Sequence, residues 1–505
     1  MLRKPALRHL ILLPALPALF ILFFHRLADR DLWSSHEARA AMDAQSVLDG
    51  DDWALPHLYD GRAELQKPPL YYWLVAGIAW LRGGEVDAWA ARLPAALAAL
   101  GCVGMLTLLG WERGRLLTGL LAGTALATAV HFTWLARIGR IDMPLTLAVA
   151  AAVTAFHLAN YRRRGLNLLV GYLAVAAAVL LKGPIGLVLP AVVVGSHSVV
   201  EAWLDGNRLA SPLAAIRGKG WWWGIPLVVA LALPWFLWVN HHTGGDLFRV
   251  FIWEHNVERG LGGGRLRGHP WWYYAPLFAS DFLPWTPLLV LALVFARRYG
   301  ILRTDPEARL GLVWFIAVFG ILSCASYKRS DYLLPAYPGA ALFLACVARH
   351  LEQRWQAWAN TPRWFPYGTL HVALCAVMVG VWFVRVERDL PAQEPFRDYR
   401  AFAAEVRRQA PPPNAVVFFH TEAHALAFHV GRPLEVFVEW EQLRDRLEQP
   451  GPHFVVMPPD GAAQWADHLP GVRLEEVSRN TTPAGGKHER PLVLFRAERI
   501  ETSED

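Results

Sequence analysis

The chain alternates long apolar stretches with short polar ones. Apolar runs fall at about 10–28, 89–110, 116–135, 141–160, 166–181, 184–203, 222–240, 272–296, 310–326, 332–348 and 366–386. A helix needs roughly 20 residues to cross a bilayer, so the pattern predicts about eleven spans. Residues 70–81 form a shorter apolar-aromatic segment, expected to lie at the interface or to re-enter. After about residue 387 the pattern changes. Polar helical stretches then alternate with the β-like runs "AVVFFH", "LEVFV", "HFVVM" and "PLVLFR". That alternation predicts a small α/β domain with a mostly parallel sheet. The expected organisation is an α-helical polytopic membrane domain, 1–386, with a long loop at 29–88, followed by a C-terminal domain, 387–505.

Composition supports the membrane reading. Of 505 residues, 54% are hydrophobic and 18% charged, against about 25% charged in soluble proteins. The net charge of +6 is small for this length, and no basic low-complexity tract points to nucleic acid. Cys102, Cys324, Cys346 and Cys375 all lie in apolar runs, so no disulfide framework is expected. The N-terminus "MLRKPALRHLILLPALPALFILFF" has signal-peptide character but lacks a convincing cleavage pattern, and reads as an uncleaved first span.

Orientation follows from basic residues near the spans. Arg3, Lys4 and Arg8 place the N-terminus in the cytoplasm. Alternation adds "WERGR", "YRRRG", the loop with Arg208, Arg217 and Lys219, "ARRYG" and "ARHLEQRW" to that side. The outer side receives loop 29–88, "ARIGRID", "LKGP", loop 241–271, "SYKRSD" and the C-terminal domain. The outer side also carries many cations, which topology does not explain.

These outer polar residues are the candidate chemistry. Ser34 or Ser35 can cap a helix bearing His36, Glu37, Arg39 and Asp43. Glu37 is either an acid favoured by the helix dipole or a base beside the bilayer. Arg137, Arg140 and Asp142 stand where one span ends and the next begins, a costly place for ionisable groups. Arg140 and Asp142 either tie a tight loop or mark a substrate path. Lys182 before Gly183-Pro184 is either a snorkelling lysine or an aimed charge. Lys67 before Pro68-Pro69 is held extended ahead of an aromatic helix. Glu254, His255, Arg259, Arg265, Arg267 and His269 crowd one glycine-rich loop. Glu254 with His255 can also hold a divalent metal cation, although adjacent residues lack the spacing of a zinc site. Lys328, Arg329, Asp331 and Tyr332 lie between two more spans. Carboxylates and cations gathered on one face at membrane level suit a phosphate whose tail lies in the lipid. The cations would neutralise the leaving phosphate, and a carboxylate would deprotonate an attacking hydroxyl.

Several stretches then fall into a family order. "SSHEARAAMDAQSVLDGDDWALPHLYDGRAELQKPPLYYWL", "RIGRIDMPLT", "LLKGPIGLVLP", "EHNVER", "HPWWYY", "PWTPLL" and "SYKRSDYLLPAYP" follow one another. Together they resemble bacterial membrane glycosyltransferases of the dolichyl-phosphate-mannose-protein mannosyltransferase type, a group that includes lipid A aminoarabinose transferases. The resemblance covers most of residues 10–350. It implies a glycosyltransferase C fold with about 11–13 transmembrane helices, a small C-terminal α/β domain and a bacterial inner-membrane location. It further implies a polyprenyl-phosphate sugar donor and an envelope acceptor: lipid A, another glycolipid, a glycan or a protein. Transfer would take place on the periplasmic side. His36-Glu37 stands where the family has an Asp-Glu pair, so the acidic role falls on Glu37. Asp142 matches the second acidic position and Lys67 the phosphate-contacting lysine. Arg259, Lys328, Tyr332 and Lys182 would assist at the phosphate. Gln66 replaces a glutamate that helps bind metal in aminoarabinose transferases. The rival reading is a transporter or flippase for a lipid-linked anionic substrate. It predicts repeats and broken midplane helices, which the sequence pattern does not display.

Overall fold

The computed structural model describes residues 12–50, 53–204, 218–258, 268–359, 366–396, 398–421, 423–431, 433–480 and 491–499. Among them, seven helices are long and apolar enough to cross a membrane. They are Ala88–Glu112, Arg164–Lys182, Pro184–Leu204, Trp221–His242, Pro306–Cys324, Ser330–Ala357 and Gly368–Gln393. Two bent pairs raise the number to nine if each is one span. The sequence pattern predicted about eleven. The difference lies in short elements: run 141–160 becomes the 17-residue helix Asp142–Leu158, and the first run gives Leu12–Phe23 with 12 residues. Segment 70–81 is an 11-residue helix, Leu70–Trp80.

Both bends have local causes. Leu116–Ala127 and Val130–Ala136 meet at 75°. There the Thr124 hydroxyl donates to Leu120 O (2.8 Å), Thr128 to Thr124 O (2.7 Å) and Thr133 to Ala127 O (2.7 Å). Such back-bonding competes with the helical ladder. Tyr274–Asp281 and Thr286–Arg298 meet at 108° across "FLPW", where Pro284 cannot donate to a continuing helix. These breaks were not legible as interruptions in the apolar runs.

Other ends are set by charge. Asp305 accepts the backbone N–H of Glu307 (3.0 Å) and Ala308 (3.1 Å) and starts Pro306–Cys324 with proline in its first turn. That helix crosses Tyr337–Ala359 closely. A Cβ on Gly311 would stand 2.5 Å from Phe343 N, and one on Gly339 2.8 Å from Phe315 N. Small residues admit this approach without a side-chain layer.

The chain forms two compact units. One comprises Met1–Leu27, Leu65–Tyr71 and Arg92–Val384; the other comprises Ala28–Glu64, Tyr72–Ala91 and Arg385–Asp505. The second unit contains a five-stranded sheet of β1 (Val416–Phe419), β2 (Leu434–Phe437), β3 (His453–Met457), β4 (Val472–Arg479) and β5 (Val493–Arg499), ordered β2-β1-β3-β5-β4. β1 pairs in parallel with β2 and β3, whereas β5 pairs antiparallel with β3 and β4. The sheet is therefore mixed, and the mostly parallel expectation is corrected. The missing strand, "VRLEEVSR", is charge-rich because it is an edge.

Alternation sends Val416 and Phe418 to one face and Val417 and Phe419 to the other. The first face buries Phe402, Val406 and Leu426 and also takes in Met42, Leu58 and Tyr59 from the first long loop. The loop and the C-terminal strands thus share one hydrophobic core.

Candidate active site

In the first unit, Asp142 opens its helix and receives two cations. Lys182 Nζ lies 2.5 Å from Oδ1 and Arg140 3.1 Å from Oδ2. Arg140 reaches on to Asp331 at 2.5 Å, and Asp331 also faces His131 (3.3 Å) and Arg329 (3.6 Å). Lys182 Nζ additionally stands 4.0 Å above the Tyr332 ring, a cation–π contact. Lys182 ends Arg164–Lys182, and Gly183 follows with φ 70°. A Cβ there would meet the Phe251 ring at 2.3 Å. Only glycine turns the chain at this place and leaves the lysine facing Asp142.

Beside this pair lies a cavity of about 180 Å³. Its polar lining comprises Gln66, Lys67, Lys182, His255, Asn256, Tyr327 and Tyr332. Its apolar wall includes Leu145, Ile185, Leu189, Phe251 and Leu322. Two ammonium groups, an imidazole and phenols over an aliphatic wall can bind a phosphate joined to a hydrocarbon chain. Lys67, Lys182 and Tyr332, widely separated in sequence, converge here.

The other expected residues are placed differently. Lys328 is buried and donates to the carbonyls of His269 (3.0 Å) and Ala325. His269 packs its ring 4.3 Å from that of Tyr273. Neither lines the cavity. Arg137 donates to Leu22 O (3.1 Å) and His25 O (2.6 Å), closing the end of the first helix. Arg259, with Arg265 and Arg267, lies outside the described residues.

The candidate metal pair is divided by its surroundings. His255 lines the cavity, whereas Glu254 is half-buried and lies 3.8 Å from Arg249. No group of three or more His, Cys, Asp or Glu residues suited to a metal occurs among the described residues.

The second unit carries the other carboxylate. Glu37 is fully buried in the first turn of Ser35–Leu48, with Arg30 Nη1 3.4 Å from its Oε2. Ser34 occupies the N-cap position, but its carbonyl accepts the N–H of Glu37 (2.9 Å) and its side chain makes no cap bond. His36 is half-buried beside it. Two residues after Glu37, Arg39 pairs with buried Glu64 at 2.6 Å. Burial, then the Glu64 and Asp43 carboxylates, pushes the Tyr72 phenol well up, so it stays a donor.

Sequence reasoning undervalued Asp331 and missed His131. Both had a signal. Asp331 is the acid nearest a span in "SYKRSDY", and His131 is an imidazole inside an apolar run.

Comparisons with known proteins agree with this architecture. The dolichyl-phosphate-mannose-protein mannosyltransferase family matches residues 17–243. An uncharacterized protein of Aquifex aeolicus is 30% identical over 66% of this chain and 62% of its own length. An undecaprenyl phosphate-alpha-4-amino-4-deoxy-L-arabinose arabinosyl transferase of Pectobacterium carotovorum is 29% identical over 72% of this chain and 64% of its own length. The chain thus spans under two thirds of these relatives' length. Among solved structures, ArnT from Cupriavidus metallidurans bound to undecaprenyl phosphate superposes with TM-score 0.76 at 18% identity, covering 97% of this chain and 98% of that one. The oligosaccharyltransferase AglB of Archaeoglobus fulgidus gives 0.56 at 13% identity, covering 99% and 75%. The chain is a multi-pass membrane protein with the glycosyltransferase C fold, and over residues 17–243 it is similar to the dolichyl-phosphate-mannose-protein mannosyltransferase family.

Proposed function

We propose that this protein transfers a sugar from a polyprenyl-phosphate donor to an acceptor of the bacterial envelope. The observation that carries the reading is the cavity in which Lys67 and Lys182 face an apolar wall. A phosphodiester joined to a hydrocarbon tail satisfies both surfaces at once. Relatives named for undecaprenyl-phosphate-linked aminoarabinose support the same donor class. The distribution of basic loops supports a periplasmic site in the inner membrane.

In the proposed reaction, an acceptor hydroxyl attacks the anomeric carbon. The bond from that carbon to the phosphate oxygen breaks, and polyprenyl phosphate leaves with the electron pair. Lys67 and Lys182 neutralise the growing charge, with Tyr332 fixing Lys182 from below. One displacement inverts the anomeric centre. Asp142 is held by two cations, which suits it to orient Lys182 more than to accept a proton. The hydroxyl proton goes to a carboxylate base, for which Glu37 is the candidate read from the sequence.

Purified protein given a labelled polyprenyl-phosphate sugar and envelope extract should release polyprenyl phosphate and label an acceptor. Mass spectrometry of envelope glycans in a deletion strain would identify that acceptor. Flux of the lipid across vesicles without sugar transfer would replace this reading by a flippase. Undiminished transfer by both Glu37→Gln and Asp142→Asn would reject the assigned roles.

A further inference from the structure

Asp142 begins one helix whose far end, after Leu158, carries a second cavity, of about 420 Å³. Arg162, Arg163, Arg164 and Lys219 line it with Asn160 and Tyr161, and among the described residues its lining contains no acid. Basic residues next to spans are usually solvated and report only topology. Three features distinguish this group.

First, Lys219 is buried. Its ammonium donates to Phe156 O (3.1 Å) and Asn160 Oδ1 (2.8 Å), leaving one of its three donors. Burial, then Arg164, pushes this ammonium down to about 8, so the site carries an electrostatic cost that an anion would relieve. Second, the walls are held. Arg164 donates to Gly218 O, and Arg162 is fixed at 2.7 Å by Glu112. The cavity also lies where Arg164–Lys182 and Trp221–His242 begin, so the positive ends of two long helices open onto it. Third, Trp111, Tyr161, Trp221 and Trp222 are exposed around this end of the helices. Tryptophan and tyrosine gather at headgroup level.

We propose that this cavity binds the phosphate of an anionic phospholipid headgroup, at the end of the helix opposite Asp142. The aromatic residues set the depth, and the cations and helix ends take the charge. The site is independent of the transfer reaction.

The test uses full-length, delipidated protein in neutral detergent, titrated by native mass spectrometry. Phosphatidylglycerol, cardiolipin and phosphatidylcholine of matched chains are compared, and inorganic phosphate is added as competitor. The anionic lipids should bind at least about tenfold more tightly than phosphatidylcholine, with millimolar phosphate displacing little. Arg162→Gln/Arg163→Gln, which alters two exposed side chains, should abolish most of that preference. Arg297→Gln/Arg298→Gln, exposed elsewhere, should leave it intact. Equal binding of the three lipids, or a preference unchanged in the first variant, would overturn the site. Full displacement by inorganic phosphate would assign the cavity to a free anion and overturn the lipid.

Discussion

Lys182 Nζ lies 2.5 Å from Asp142 Oδ1, while the same carboxylate keeps Arg140 at 3.1 Å on its other oxygen. The two sides of this pair are unequal. Lys182→Met leaves Asp142 with Arg140, but Asp142→Asn leaves Lys182 without its carboxylate. Stranding a fully buried charge costs about 3–5 kcal/mol, and stranding the half-buried Lys182 costs a part of that. Asp142→Asn should therefore lower thermal stability in detergent clearly more than Lys182→Met. Equal losses, or the reverse order, would mean that the lysine is solvated and that the pair does not position it.

Lys67 reaches the same cavity as Lys182 from a distant part of the chain. A hydrogen bond to a charged group contributes about 1.5–3 kcal/mol. Lys67→Ala should raise the KM for the lipid-phosphate donor by about 10- to 100-fold and leave the acceptor KM nearly unchanged. Initial rates with each substrate varied in turn would check this. A rise confined to the acceptor would remove Lys67 from the phosphate.

Gly183 holds φ 70° directly after Lys182, with the Phe251 ring packed against the place of its missing side chain. Gly183→Ala adds both backbone strain and a clash, so it should destabilise the protein by more than about 1 kcal/mol. Gly183→Ala/Phe251→Ala should recover only part of the loss, because the strain stays. Complete recovery in a thermal-shift measurement would show that steric contact alone matters.

Asp305 shows how acid should act on the fold. Burial alone would raise its carboxyl, but the His350 hydrogen bond (2.9 Å), Arg115 (2.8 Å) and the helix N–H groups hold it below its ordinary value. A depressed native pKa contributes stability in full above the unfolded value, near 4. That contribution is lost as the pH falls toward the native value. The difference in melting temperature between wild type and Asp305→Asn should be constant from pH 7 to about 5 and shrink below about 4. A difference that grows on acidification would contradict the sign.

Much of this was legible in the sequence because membrane helices announce themselves by length and apolarity. Lys67 and Lys182 stood out because a cation at a span end is expensive enough to need a reason. Asp331 did not, because "KRSD" also reads as a solvated hairpin, and only the fold carries Arg140 to it. The bend at Thr128 was hidden because threonine hydroxyls bond backward without interrupting apolarity. Strand β4 was hidden because an edge strand rich in charge lacks the apolar alternation of its neighbours. The partnership of the first loop with the C-terminal strands is a long-range contact, and no local pattern encodes it.

That partnership bears on the C-terminal region. Asp31 receives His429 at 2.7 Å, and Glu394 accepts both the Asp31 N–H (2.5 Å) and the Trp33 indole (2.7 Å). Met42, Leu58 and Tyr59 are buried in the same core as Phe418, Leu426 and Val456. Deleting residues 390–505 would expose those three side chains and remove the partners of Asp31 and Trp33 from the unit that carries Glu37. Burying a large apolar side chain contributes about 1.5–3 kcal/mol, so the shortened protein should lose both transfer activity and its folded loop. Leu58→Ala, expected to cost about 2–5 kcal/mol, should reproduce a milder form of the same defect. The check is limited proteolysis at 29–64 beside a transfer assay. A truncated protein with a protected loop and full activity would show that the C-terminal region is a dispensable appendage.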